Sequence, residues 1–142
     1  MILDKHPDAP QETAGMKAIG YWDDGRKSGL PDPKDFIDET WDPRIRRLVA
    51  LYTATAPALI SWRGYSSCRV CRALRNGSAC LSDHAYVWPE GFAHYVERHS
   101  VKVPDEFVKH IVSKVKSGEF NVENAVRASQ MDTNLKLSLI HI

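Results

Sequence analysis

The feature that most constrains this chain is a cysteine pair two residues apart, Cys68 and Cys71, followed downstream by His94 and His99. Thiolate sulfur and imidazole nitrogen are the donors zinc prefers, four of them around one tetrahedral point. A Cys-x-x-Cys turn brings two sulfurs to one side of the chain. Two histidines at this spacing converge on one point where a helix tightens toward its end. The 22 residues between Cys71 and His94 exceed the roughly 12 of a DNA-reading finger. That surplus is what a hairpin consumes. Knuckle, hairpin and helix in this order predict a small α+β, treble-clef-like, zinc-stabilised domain flanked by helices. The expected cofactor is a structural Zn2+ on Cys68, Cys71, His94 and His99, because four protein ligands leave no open position for substrate.

Other fates exist for the same residues. A redox Cys-x-x-Cys needs a preceding strand–helix–strand setting that is missing here, and two histidines on an amphipathic helix need not be ligands at all. His84 and His110 are the alternative ligands if His99 faces away. Cys80 sits in an apolar run and reads as a buried free thiol. Three cysteines make an odd count, which argues against a disulfide framework and fits a reducing compartment. Asn76-Gly77-Ser78 matches a glycosylation acceptor, yet Asn-Gly turn chemistry accounts for it.

Elements around the motif follow from local signals. Residues 1–17 carry prolines, a glycine and scattered charges without apolar periodicity, and read as a disordered arm. Residues 18–57 form a wrap and a helix: the wrap is punctuated by turn residues and anchored by Tyr21, Trp22, Phe36 and Trp41. The helix has Asp42 as cap, Pro43 first and a stripe of Ile45, Leu48, Val49 and Tyr52. Residues 58–117 are the core, comprising a strand at 58–63, the knuckle, a hairpin over 78–88, a helix opening at Pro89-Glu90 and another opening at Pro104. Residues 118–136 read as a helical segment cut short. Residues 137–142 read as the translation of CTG TCT CTT ATA CAC ATC, the string of a transposon mosaic end used as a sequencing adapter. The native coding sequence is then expected to stop at or before Lys136.

The stretch Gly64-Tyr65-Ser66-Ser67-Cys68-Arg69-Val70-Cys71, then Asn76-Gly77-Ser78, then Trp88-Pro89-Glu90-Gly91 with His94-Tyr95, resembles a set of uncharacterised bacterial proteins. They share a GYSxCRxC, NGS, WPEGxxHY and LPxxF layout, matched here over residues 60–112. The resemblance implies that Cys68, Cys71, His94 and His99 work as a unit, and it implies no activity. Cys80 and His84 depart from the shared layout, so neither is implied as a common ligand.

Charge is unevenly placed. Residues 1–42 hold ten acids and five bases, and residues 43–75 hold seven arginines and no acid. Such blocks mark either two segments that fold against each other or a nucleic-acid surface. In the second case Arg63, Arg69, Arg72 and Arg75 clamp phosphates while Trp62 or Tyr65 stacks on bases. An enzyme would need only three of the four ligands to bind, with Glu90 or Glu97 as base. Asp83-His84 with Trp88-Pro89 is similar to the start of a His–Asn–His nuclease motif, but the central asparagine and last ligand are absent. The stretch 48–62 is too short to span a bilayer. Asp4, Lys5 and His6 stand where a signal peptide needs an apolar core. The expectation is a bacterial cytoplasmic zinc module that binds a protein or nucleic acid and no membrane.

Overall fold

The computed structural model describes residues 1–23, 29–62, 64, 66–72 and 76–129. Its centre is a mixed five-stranded sheet. The strands are β1 (Ile2–Leu3), β2 (Lys17–Ile19), β3 (Ala58–Ser61), β4 (Ala79–Ser82) and β5 (Tyr86–Pro89), and they lie in the order β1-β2-β5-β4-β3. All neighbours are antiparallel except β2 and β5, which run parallel with Lys17 opposite Tyr86. Among the described residues four α-helices accompany the sheet: α1 (Pro43–Thr55), α2 (Phe92–His99), α3 (Asp105–Lys116) and α4 (Val122–Ser129). This is a small α+β domain.

The period-two alternation of the strands divides the core in two. Ile19, Leu81, Tyr86 and Trp88 face the helices and join the main cluster with Leu48, Tyr52, Phe92, Phe107 and Ile111. Ala18, Cys80 and Val87 face the other way, where Met16 completes a smaller cluster flanked by Tyr21, Leu59 and Ile60. Trp88 is fully buried, and its indole N–H donates to the Thr53 carbonyl at 2.9 Å, which pins the sheet centre to α1.

α1 forms as its sequence demands. The Asp42 carboxylate accepts the Arg44 N–H at 2.9 Å and Pro43 takes the first turn. Ala56, held extended before Pro57, ends it. The buried stripe includes Leu48, Val49 and Tyr52. Arg46 does not face water: its guanidinium donates to the Glu97 carbonyl of α2.

Two expectations change here. Residues 1–17 are not a loose arm, because Ile2 and Leu3 pair with Ile19 and Ala18 and His6 is 3% exposed. Strands of two and three residues are too short for periodicity to register. α2 opens at Phe92 rather than Pro89, since Pro89 closes β5 and the Glu90 N–H is taken by the Ala79 carbonyl at 2.8 Å. The segment expected over 118–136 contributes α4, which packs on α1 through buried Ala125 and Val126. The six-residue adapter reading at 137–142 lies outside the described residues. Among the described residues no helix is long and apolar enough to cross a membrane.

Candidate metal centre

The Cys-x-x-Cys turn sits in the connection between β3 and β4. The two limbs of that connection are laddered, with Trp62 N–H on the Ser78 carbonyl (2.6 Å), Asn76 N–H on Ser66 (2.8 Å) and Ser66 N–H on Gly77 (3.0 Å). Cys68 is fully buried, and its Sγ accepts the Val70 N–H at 3.4 Å and the Cys71 N–H at 3.5 Å. The Arg72 N–H closes back on the Cys68 carbonyl at 2.9 Å, with Arg72 itself in the left-handed region at φ +67°. This is a tight turn whose amides point at the first sulfur. Cys71 is exposed.

Two contacts bring this turn to α2. The Arg69 N–H donates to the Tyr95 hydroxyl at 2.8 Å. At Gly91, just ahead of the helix, a Cβ would overlap the Asn76 carbonyl oxygen, so only glycine lets the base of the loop lie this close. His94 then falls in the first turn of α2 and His99 at its end.

The four expected ligands meet. Cys68, Cys71, His94 and His99 each offer one donor atom, and all four atoms lie within 4.8 Å of one another. Cys71 Sγ is 3.3 Å from His94 Nε2, and His94 Nε2 is 3.2 Å from His99 Nε2. A zinc tetrahedron built on ordinary bond lengths has edges of about 3.3 Å between nitrogens and about 3.6 Å between nitrogen and sulfur. The donor set and its spacing therefore fit a divalent zinc-like ion. Burial, together with the charges of His99 and Arg98, holds the His94 imidazole below its ordinary pKa, and burial does the same for His99. Both rings favour the neutral, ligating form.

The alternative ligands lie elsewhere. His84 is at the exposed tip of the β4–β5 turn with φ +73°, and His110 Nε2 is bonded to Asp83 Oδ2 at 2.6 Å. Cys80 is buried, unpaired and on the opposite face of the sheet from the helices. Of the four arginines suggested as a phosphate clamp, Arg72 is exposed and Arg69 half-buried with its guanidinium on the Ser67 carbonyl at 2.7 Å. Arg63 and Arg75 lie outside the described residues, as does Tyr65. Of the two suggested bases, Glu90 accepts the Ser78 N–H at 2.7 Å, while Glu97 Oε2 lies 4.0 Å from Arg46, buried and without a hydrogen-bond partner among the described residues.

Three contributors escaped the sequence reading. Tyr95 stood only as part of the shared motif, yet its hydroxyl accepts the Arg69 N–H of the knuckle. Gly91 gave no turn signal. Asp83 gathers Tyr52 and His110 from α1 and α3, and long-range polar partners leave no spacing to detect. No protein-family model, curated protein or solved structure matches this chain.

Proposed function

We propose that this chain is a zinc-binding interaction module with a structural metal on Cys68, Cys71, His94 and His99. The observation that carries it is the convergence of two sulfurs and two ring nitrogens within 4.8 Å. A turn donating amides to sulfur, a β4–β5 hairpin and a helix bearing both histidines support the treble-clef-like description. Zinc supplies no reaction in this reading; it fastens the β3–β4 connection to α2. Four donors rather than three favour a closed site over a catalytic one, and Glu90 is held by a backbone amide rather than free as a base.

The three free cysteines suit a reducing cytoplasm, and the likeness to the uncharacterised bacterial set suits a bacterial one. The partner is read as a protein or a nucleic acid. Arg72 and Trp62 are both exposed, Trp62 by 48%, which favours including the latter.

Purified chain should hold about one zinc ion, and cobalt substitution should give the visible absorption of a tetrahedral thiolate site. Protein free of metal, with a melt indifferent to chelator, overturns the reading. Anisotropy with a random oligonucleotide at low salt separates the two partner classes, because each neutralised phosphate adds to the salt slope.

A further inference from the structure

A cavity of about 660 Å³ is lined by the β3–β4 connection and reaches Arg69 and Tyr95 of the metal centre. Small-molecule sites run to about 300–1,000 Å³, so its size suits a ligand. Trp62 stands in the lining with 48% of its surface exposed, and its indole N–H is tied to Cys80 Sγ at 3.4 Å. That bond holds the ring in one orientation while much of it stays open to contact.

Asn76, also in the lining, supplies a second observation. It is only 9% exposed, and its side-chain amide lies against Gly91, another lining residue, where an added Cβ would stand 2.6 Å from Nδ2. The backbone of Asn76 is used: its N–H donates to the Ser66 carbonyl, and its carbonyl accepts the Ser66 hydroxyl. Its side-chain carbonyl and amino group have no hydrogen-bond partner among the described residues. Unlike the Trp22 indole nitrogen, they are not sealed from solvent. A nearly buried amide left open is costly unless a group entering the cavity pairs with it.

Charge narrows the class of that group. Asp8 and Glu90 line the cavity together with Arg69, and two carboxylates to one guanidinium do not suit a bare anion. An open aromatic surface, an open amide and carboxylates match a planar ring whose edge carries both donors and acceptors. Nucleobases have that chemistry. Aromatic side chains stack on their faces, Asn pairs their edges and Glu accepts from their amino groups.

We propose that this cavity binds a nucleobase, carried by a single strand or by a free nucleotide, with Trp62 stacked on its face and Asn76 pairing its edge. Arg69, in the same lining, takes the phosphate. The site gives the nucleic-acid branch of the interaction reading its point of contact, and rests on that branch.

The test uses the full, zinc-loaded chain and fluorescence anisotropy at low salt. Two labelled probes of equal length are compared, a random single-stranded DNA and an abasic strand with the same phosphates. The base-bearing strand should bind at least about tenfold more tightly, the worth of one stacked base. Trp62→Ala should remove that advantage and Trp62→Tyr restore most of it, with zinc content unchanged. Asn76→Asp keeps the shape and removes the amino donors, and should change the ranking of oligo-dA, oligo-dC and oligo-dT strands. Where a variant does not fold by circular dichroism, the two probes on the unchanged chain decide alone. Competition by AMP, GMP, CMP or UMP assigns the site to a free nucleotide, and competition by strands alone assigns it to a single strand. Equal affinity for the two probes overturns the proposal and leaves a phosphate surface. No binding of either probe or of any nucleotide overturns it too, and leaves a protein partner. Both results are read on chain whose zinc has been measured, so they stand apart from failure of the metal reading, which shows as absent zinc.

Discussion

At the scale of single residues, Asp83 carries more than its place in a turn suggests. Its Oδ1 accepts the Ala85 and Tyr86 amides, and its Oδ2 meets the Tyr52 hydroxyl and His110. Burial alone would raise its pKa, but donation from Tyr52, Tyr86, His110 and Ala85 outweighs it and leaves the carboxyl below its ordinary 3.8. A carboxyl lowered by folding contributes stability that is present above its unfolded value and lost as pH falls through its folded one. Stability should therefore drop as pH is taken below about 4, and Asp83→Asn should flatten that limb. At neutral pH the same change should cost about 1–3 kcal/mol, measured by urea unfolding. Gly91 makes a different demand. Gly91→Ala drives a methyl into the Asn76 carbonyl, and should cost about 1–3 kcal/mol while weakening metal retention, because it pushes the knuckle away from His94. Unchanged zinc affinity in a folded Gly91→Ala chain would show that this contact does not place the turn.

At the scale of elements, the helices were legible and the short strands were not. α1 announces itself through Asp42, Pro43 and a full apolar stripe, and α3 through Pro104 and Asp105-Glu106. β1 and β2 offer two and three residues, below the length at which alternation stands out. The four ligand candidates could be read because metal spacing is local on each limb. The contacts that seat the turn on α2, through Tyr95 and Gly91, could not, since they link residues with no fixed spacing. The two core clusters of the sheet set Cys80 apart from Cys68. Cys68→Ser should abolish zinc binding, whose free energy in finger peptides is on the order of 10 kcal/mol, and should remove any effect of chelator on the melt. Cys80→Ser, on the other face, should keep a full complement of zinc. Metal analysis of both variants beside thermal melts with and without chelator checks the contrast; equal zinc loss in the two would end it.

At the scale of the whole molecule, the ion pairs seen among the described residues do not lay one acidic face on one basic face. Asp38 lies 3.8 Å from Lys102, Asp42 lies 3.5 Å from Arg44, and Lys17 holds Glu106 at 2.9 Å. These are exposed pairs and contribute little each. What joins the N-terminal residues to the rest is apolar and backbone pairing. Deleting residues 1–8 should therefore lower the melting temperature and uncover the Cys80 face to maleimide, with zinc content unchanged. A truncated chain as stable as the full one would remove β1 and His6 from the structural account.

The parallel pairing of β2 with β5 sets the order in which this chain is completed. Lys17 finds Tyr86 only after the first helix, the knuckle and most of the hairpin have been made. Contacts so far apart in sequence are closed late and slow folding. During synthesis the earliest strands leave the ribosome well before their neighbour exists, with an open edge and an apolar face exposed to other nascent chains. The part of the sheet made first is the part finished last.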